Sequence, residues 1–256
     1  MQTLRQFITN CSKSFDDIEQ VVNCFMEYPA VMKLAKSFDR APDSQLLFQS
    51  LTHSSLLNES ALINENSERL EFLGDAVLEL IMTEHIYHRF PHFKEGEMSK
   101  LRGALVNETH LAKLARSLEL GACLLMGKGE EVQNGEDKDG LLCDAIESIL
   151  AACFLSHGLE SAKKTLWNWC ELFQSYYNED FIEMEQFNSY DCKTKLQEWA
   201  MKEKMDLPQY KSTELESGQF FVELSLQDRF YSSVTCLSKK KAQKILAKEA
   251  IEKLEV

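Results

Sequence analysis

The chain has 256 residues, which is enough for one or two domains that each bury a hydrophobic core. Apolar residues make up 44% and charged residues 27% of the composition, and with 10 glycines and 4 prolines these values exclude collagen-like and low-complexity chains. The N-terminal residues have no apolar segment of the signal-peptide type, and no run of about 18 apolar residues occurs. We therefore expect no secretion and no membrane span, and we predict a cytoplasmic protein.

The charged residues are unevenly distributed along the chain. The formal net charge is −13, yet residues 188–256 carry 12 basic and 11 acidic residues. This shift near residue 188 predicts two modules, one acidic and one close to neutral. A chain with this net charge needs a local basic patch or bound metal ions before it can bind a polyanion.

The eight cysteines form no C-x-x-C pair. Their spacing predicts free thiols in a reducing cytosol, and it argues against zinc, because closely spaced cysteine ligands are missing. Cys143 and Cys153 lie in apolar, helix-like segments and are interpreted as buried thiols.

The first 180 residues predict helices almost throughout. A loose helical periodicity over residues 4–26 ends before Pro29. Further helices are expected over 43–57 with Asp43 as N-cap, over 67–90 between Ser67 and Pro91, over 97–120 with Gly121 as C-cap, over 141–157 with Gly158 as C-cap, and over 159–177. This part of the chain therefore predicts an all-α domain.

The pattern changes after about residue 188. Helices are predicted over 191–204 and over 238–254, the second beginning at Ser238, and between them three strands are predicted over 209–216, 219–227 and 229–237. The order α-β-β-β-α in so short a segment indicates a compact, self-contained α+β domain.

Two groups of carboxylates stand out in the helical part. Glu68, Glu71 and Asp75 lie at i, i+3 and i+7, which places them within roughly 60° of one another on a helix. Asp144 and Glu147 lie at i and i+3 in an otherwise apolar helix, where unpaired charges are unfavourable.

One interpretation of these carboxylates is a solvated acidic face with ion pairs to Arg69 or Lys100. The apolar flanks of the second pair favour a metal centre instead, because ligands that are all oxygen atoms suit Mg²⁺ or Mn²⁺. Such a centre can activate water and neutralise phosphate oxygens.

Several segments resemble the ribonuclease III family of double-strand-specific endoribonucleases. They are LTHSS (51–55), NSERLEFLGDAVL (66–78), EGEMSKLRGALVNETHLAKLA (95–115) and LLCDAIESILAACFL (141–155). Near the C-terminus, KTKLQE (193–198) and SKKKAQKILAKEAIEKL (238–254) resemble a double-stranded RNA-binding domain. The resemblance covers about residues 31–256.

The resemblance implies a multidomain protein. It places an all-α ribonuclease III catalytic domain at 31–176, a linker at 177–188 and an α-β-β-β-α double-stranded RNA-binding domain at 189–256. Residues 1–30 are predicted as an N-terminal helical extension, to which the resemblance assigns no role. The implied activity is that of a homodimeric endoribonuclease that uses Mg²⁺, for which Mn²⁺ can substitute, to activate the water that attacks the phosphodiester. The products would carry 5′-phosphate and 3′-hydroxyl ends with short 3′ overhangs, and the targets would include ribosomal RNA precursors and other structured RNAs.

The same resemblance assigns roles to the carboxylates. Glu71, Asp144 and Glu147 would bind the catalytic Mg²⁺, and Asp75 would lie with them in the active centre. All four are present, so the chain is not an obvious pseudoenzyme.

Other residues of the family motifs receive roles at the borders of this centre. Glu68 and Glu95 would lie in the catalytic valley, in contact with substrate or the partner subunit. Phe72 would enter the partner subunit of the dimer, and Gly74 would permit close packing next to Asp75.

A lysine cluster at the start of the last helix indicates phosphate contact, since free N–H groups and the helix dipole also favour anions there. It consists of Lys239, Lys240, Lys241, Lys244 and Lys248. A solvated lysine-rich helix is the alternative, but the α-β-β-β-α context favours RNA. By resemblance, Gln197 and Glu198 on the first helix of this domain would face a minor groove.

The RNA-binding domain departs from its usual pattern in three places. The loop between its first two strands is only ELESGQFF (214–221), Met201 replaces a common glutamine, and Val-Thr-Cys (234–236) replaces a Gly-x-Gly. We expect the domain to keep its fold and to bind RNA more weakly or in an altered way.

Two alternative functions stay open at this point, namely a non-catalytic double-stranded RNA-binding protein and a helical metal hydrolase acting on small phosphates.

Overall fold

The computed structural model describes Leu4, residues 6–8, 17–59, 63–182, 192–215, 218–227 and 229–254, without the side chains of Thr194 and Lys240. The chain divides into two compact units, a helical unit at Met1–Ile182 and an α/β unit at Glu183–Val256. Within the helical unit Leu4 and Ile8 are buried. Residues 183–191, which include the second half of the predicted linker at 177–188, lie outside the described residues, and the predicted domain boundaries stay predictions.

In its described residues the helical unit is built from α-helices and short 3-10 turns. The α-helices are α1 Ile18–Met26, α2 Pro29–Ala35, α3 Ser44–Ser50, α4 Glu68–Arg89, α5 Glu95–Leu105, α6 Glu108–Ser117, α7 Lys128–Val132, α8 Asp139–His157 and α9 Leu159–Tyr177. The 3-10 turns are Ser54–Glu59, Leu120–Cys123 and Gly135–Asp137.

Helix α8 lies at the centre of the helical unit. It packs against α4, α6 and α9, so its apolar residues are buried on most sides. By length and composition alone α8 could cross a membrane, and 56% of its most apolar segment is buried inside the protein. A helix that packs against neighbours on most sides needs apolar residues all round. We therefore interpret α8 as the core helix of this unit.

Three of the predicted helix ends are confirmed. The Asp43 carboxylate accepts hydrogen bonds from the backbone N–H groups of Gln45 and Leu46, which caps α3. Helix α4 ends at Arg89, two residues before Pro91. Gly158 has φ 78° and ends α8, a left-handed conformation that glycine adopts without strain.

The helix predicted over 43–57 is wrong in its second half. Helix α3 ends at Ser50 because the next backbone groups bond elsewhere: Leu125 donates to Leu51 O (2.8 Å), and His53 donates to Leu125 O (2.8 Å). These bonds form a short parallel bridge between Thr52 and Leu125.

The helix predicted over 97–120 is also wrong, since it is two helices. The Asn107 side chain accepts from the backbone N–H of His110 and starts α6. Gly121 is not a C-cap but lies in the 3-10 turn Leu120–Cys123, where an added Cβ would lie 2.2 Å from the carbonyl oxygen of Glu136. The residue that adopts the left-handed conformation after α6 is Glu119, at φ 57°.

The α/β unit confirms the predicted α-β-β-β-α order. Its elements are α10 Cys192–Lys202, β1 Gln209–Glu214, β2 Phe220–Leu226, β3 Phe230–Cys236 and α11 Lys239–Leu254. The strands form an antiparallel sheet in the order β1-β2-β3, with Val222 opposite both Ser212 and Val234. Helices α10 and α11 pack against each other, and α11 also packs on β2 and β3, so that one face of the sheet is covered by the core of this unit.

The loop between β1 and β2 closes tightly. Leu215 donates to Gln219 O (2.8 Å), Gly218 donates to Leu215 O (2.9 Å), and Gly218 has φ 76°. Residues 216 and 217 lie outside the described residues. The bonds at both sides of the loop agree with the short connection expected from the sequence.

Candidate functional site

The site is organised by a direct contact between the main chains of α4 and α8. A Cβ built on Gly74 would lie 1.8 Å from the carbonyl oxygen of Glu147, a distance that no side chain can occupy. The close packing predicted at Gly74 is therefore confirmed, and the backbone that it meets belongs to Glu147. This contact brings the residue after Gly74, which is Asp75, next to the acidic turn of α8.

Four carboxylates from the two helices lie close enough to interact electrostatically. Glu71 and Asp75 come from α4, and Asp144 and Glu147 come from α8. The charge of Glu71 acts on both Asp144 and Glu147, and the charge of Asp75 acts on Glu147 and Glu71. The structure thus brings the four predicted residues within electrostatic range of one another, and among them the ligand atoms of Asp144 and Glu147 lie within 4.8 Å.

The local electrostatics disfavour ionisation of these groups. Burial raises the pKa of Asp144 to about 6, with a smaller contribution from the charge of Glu71. Burial also raises the pKa of Glu147 to about 7, with Asp75 adding to the effect. The pKa of Glu71 is raised by burial and by its neighbours Glu68 and Asp75.

The structure does not support the alternative interpretation of these carboxylates, which was a solvated acidic face with ion pairs. Among the described residues, no lysine or arginine forms an ion pair with Glu71, Asp75, Asp144 or Glu147. Several half-buried carboxylates without a cation are unfavourable, and a bound metal ion would remove this repulsion. The donor set fits a divalent cation that prefers oxygen ligands.

This arrangement predicts that replacing Asp144 by asparagine stabilises the metal-free chain at pH 8, by roughly 2 to 4 °C in Tm after discounting for solvent screening. The pKa of Asp144 is raised in the folded state, so the destabilisation is absent below about pH 4, grows as the pH rises to about 6, and is constant above that, where the carboxylate is ionised in both states. Thermal denaturation in EDTA at pH 4 and pH 8 tests this.

The matched control for this prediction is Asp139, on the first turn of the same helix. Its carboxylate accepts a hydrogen bond from Arg116 (2.8 Å) and is therefore already compensated. Replacement of Asp139 by asparagine should give no gain at pH 8. An equal gain for both variants would show that helix charge in general, rather than the carboxylate cluster, sets the effect.

The other predicted residues of this domain lie on its surface. Glu68 is exposed at the start of α4, close enough to Glu71 to raise its pKa. Glu95 is exposed at the start of α5 and accepts a hydrogen bond from Ser99 Oγ (2.9 Å). Phe72 exposes 84% of its surface, a high value for a large aromatic residue.

One residue of the site was not predicted from the sequence. Cys143 is buried on α8, and its Sγ lies 3.6 Å from Glu147 Oε1, within reach of a thiol hydrogen bond. Burial and then the charges of Glu147 and Asp144 raise the pKa of this thiol. The signal that could have found it was its i, i+4 relation to Glu147, which puts both on one face of the helix.

The predicted RNA-binding residues lie in the α/β unit. Lys239, Lys241 and Lys244 are exposed on the first turns of α11, and the side chain of Lys240 lies outside the described residues. On α10, Glu198 is exposed and Gln197 is half-buried. The structure therefore leaves most of the predicted phosphate contacts accessible, while their role in binding stays a prediction.

Family comparisons divide the chain as the structure does. Residues 43–171 match the family described as Ribonuclease-III-like, and residues 192–254 match the double-stranded RNA binding motif. The first match contains all four carboxylates of the centre, and the second contains the lysine cluster of α11.

Curated relatives cover most of the chain. Ribonuclease 3 of Borreliella afzelii is 39% identical over 215 residues, which are 82% of this chain and 85% of that protein. Ribonuclease 3 of Campylobacter jejuni is 39% identical over 217 residues, covering 83% of this chain and 92% of that protein. The solved nuclease domain of ribonuclease III from Campylobacter jejuni is 41% identical, with a TM-score of 0.52 over 58% of this chain and 99% of that one. With both matched domains in place and in this order, the chain belongs to the ribonuclease III family.

Proposed function

We propose that this enzyme is a Mg²⁺-dependent endoribonuclease that hydrolyses phosphodiester bonds of double-stranded RNA. Its products would be 5′-phosphate and 3′-hydroxyl ends with short 3′ overhangs. The observation that carries the proposal is the convergence of four uncompensated carboxylates at the contact between α4 and α8, in a chain that also has a double-stranded RNA-binding domain.

In this proposal Glu71, Asp144 and Glu147 hold the metal ion, with Mg²⁺ as the natural ion and Mn²⁺ as a substitute. Their oxygen donors fit these hard cations. Burial and the neighbouring carboxylates raise the pKa of Glu147 to about 7, and a bound cation would act in the opposite direction and favour the ionised form. When bound, the ion supplies an acidic water and positive charge for the phosphate oxygens.

The remaining residues position water and RNA. Asp75 is more exposed than Glu147 and lies beside it, so its carboxylate is placed to accept a hydrogen bond from the attacking water. Glu68 lies next to Glu71 at the border of the centre, whereas Glu95 lines a groove with Tyr87 towards the other end of α4. In the proposed dimer both contact the substrate or the partner subunit. The half-buried setting of Asp144 and Glu147 limits the solvent around the reacting phosphate.

The test is incubation of the full chain with a long RNA duplex, with and without Mg²⁺, followed by analysis of the product ends. Cleavage only with Mg²⁺, with ligatable 5′-phosphates and short 3′ overhangs, is the expected result. Stable binding of the duplex without any cleavage would favour the alternative function, a non-catalytic double-stranded RNA-binding protein.

Helix α4 carries the surface that we propose for the homodimer. Phe72, Leu80 and Tyr87 are exposed by 84%, 54% and 63%, and their spacing places them on one side of the helix. Tyr87 borders a groove that Thr83, Ile86, Met98 and Arg102 also line. Phe72 and Tyr87 are about 22 Å apart along the helix, so a two-fold axis near Leu80 would place each Phe72 at the groove of the partner.

The dimer proposal is supported by the nuclease domain of Campylobacter jejuni, which has a region involved in dimer formation. It predicts that Phe72→Ala weakens the dimer by at least about tenfold in Kd, since a large aromatic residue that fills a groove of the partner contributes on the order of 2 kcal/mol. Sedimentation velocity across a concentration series measures this change.

The control for the dimer is Val132→Ala, which removes an apolar side chain that is 75% exposed on α7. This variant should sediment like the original chain. Identical dissociation constants for the Phe72 variant and the original would remove Phe72 from the interface.

The lysine cluster predicts a salt-dependent contribution to RNA binding. Lys241→Ala should weaken duplex binding and reduce the slope of log affinity against log salt by roughly 0.7 to 0.9, the value for one phosphate contact. Lys253→Ala, at the far end of the same helix, should keep the slope, because Lys253 is paired with Glu249 (2.6 Å). Filter binding in EDTA over a salt series distinguishes the two.

We further propose that the enzyme acts in the cytoplasm and processes ribosomal RNA precursors, messenger RNA and other structured RNAs. This follows from the bacterial relatives that are named Ribonuclease 3 and match most of the chain. Sequencing of 5′-phosphate RNA ends in cells with and without the active enzyme identifies the targets.

A further inference from the structure

The acidic turn of α8 contains a sulfur donor next to its two carboxylates. Single ligand atoms of Cys143, Asp144 and Glu147 all lie within 4.8 Å of one another. The Cys143 thiol is 8% exposed, so the protein shields it from bulk solvent while presenting it to the carboxylates. The three residues therefore form a mixed sulfur and oxygen donor set on one helix turn.

One distance within this set equals that between two ligands of a tetrahedral zinc site. Zinc binds thiolate sulfur at about 2.3 Å and carboxylate oxygen at about 2.1 Å, which puts two such ligands about 3.6 Å apart at the tetrahedral angle. The distance from Cys143 Sγ to Glu147 Oε1 is 3.6 Å. Both ligands could therefore bind one ion with little movement of α8.

We propose that this centre also binds a softer divalent cation, Zn²⁺ or Cd²⁺, through the Cys143 sulfur and the carboxylates of Asp144 and Glu147. The inference rests on the proposed function only in that the two carboxylates are the same ones assigned to Mg²⁺. It does not require that the enzyme cleaves RNA.

The choice of cation follows from donor hardness. A neutral thiol adds nothing to a Mg²⁺ site, because Mg²⁺ takes oxygen ligands and retains its waters. A zinc or cadmium ion binds the thiolate and releases the thiol proton to solvent. Because Asp144 and Glu147 are shared, the soft cation and Mg²⁺ exclude each other, and Zn²⁺ inhibits the Mg²⁺-dependent reaction.

The test is a Cd²⁺ titration of the reduced full chain, followed through the ultraviolet charge-transfer absorption of cadmium thiolate. The original chain should show a component that Cys143→Ser lacks and that excess Mg²⁺ suppresses. Cys236→Ser is the matched control, since this free, half-buried thiol lies on β3 of the other unit, and it should keep the component. Titration of Zn²⁺ into the duplex cleavage assay should require at least about tenfold more Zn²⁺ for half-inhibition of Cys143→Ser.

The outcomes separate this inference from the proposed function. An identical cadmium component in the original chain and in Cys143→Ser, or one that Mg²⁺ leaves unchanged, overturns the inference. A Cys143-dependent component in a chain that fails to cleave duplex RNA with Mg²⁺ alone supports the inference and contradicts the proposed function. Circular dichroism verifies folding, and if the serine variant is unfolded, Cys143→Ala is titrated in its place and judged by the same component.

Discussion

Replacing Glu147 by glutamine is expected to lower the rate of Mg²⁺-dependent cleavage of an RNA duplex by about 1000-fold or more, because it removes an anionic ligand of the proposed metal ion. Glutamine has the same shape and retains the backbone carbonyl that meets Gly74, so α4 and α8 stay in register. Duplex binding should change by less than about threefold, since the basic residues of α11 provide the phosphate contacts.

Single-turnover cleavage and filter binding measure the two quantities separately. Glu160→Gln is the matched control, because Glu160 is an exposed carboxylate on the first turn of α9, and both its rate and its affinity should be unchanged. Equal losses of binding and cleavage in the Glu147 variant would mean that Glu147 contacts RNA rather than the metal ion.

Substitution of Gly74 by alanine should produce a large loss of stability in the helical unit. The added Cβ would overlap the carbonyl oxygen of Glu147 at 1.8 Å, and main-chain atoms of two packed helices cannot rotate away. Separation of α4 from α8 should lower the free energy of unfolding by about 3 kcal/mol or more, which is roughly 6 to 12 °C in Tm. Mg²⁺-dependent cleavage should be lost with it, since the two halves of the site move apart.

Gly103 offers a close control for this substitution. It lies within α5, and a Cβ built there meets no atom within 4 Å. Gly103→Ala should therefore stabilise the chain by up to about 1 kcal/mol through helix propensity. Differential scanning calorimetry of both variants decides the matter, and a Gly74 variant as stable as the Gly103 variant would show that the two helices can adjust.

The fold could be predicted wherever a local signal decides the structure. Asp43 caps its helix through its own side chain, Pro91 cannot continue a helix, and Gly158 adopts a left-handed conformation. The early end of α3 could not be predicted in this way, because it depends on hydrogen bonds to Leu125, far along the chain. The role of Gly121 could not be predicted for the same reason. A glycine is required there because the backbone of Glu136 packs against it, not because a helix ends there.

The candidate site shows the same division. The acidic residues of α4 were predicted from helical spacing and from family resemblance, and the structure places Glu71 and Asp75 beside the second pair on α8. The thiol of Cys143 was interpreted as an ordinary buried cysteine, because its apolar sequence neighbours conceal that it lies within 3.6 Å of Glu147. Sequence spacing relates residues on one helix, whereas the donor set of a metal centre depends on side-chain direction.

The contact at Gly74 has a consequence for how this enzyme can evolve. Because it joins two main chains, the separation of α4 and α8 at this point is set by backbone atoms rather than by the sizes of the apolar side chains around them. Substitutions elsewhere in α4 and α8 can therefore accumulate in descendants of this chain while the two main chains that carry the carboxylates stay in contact.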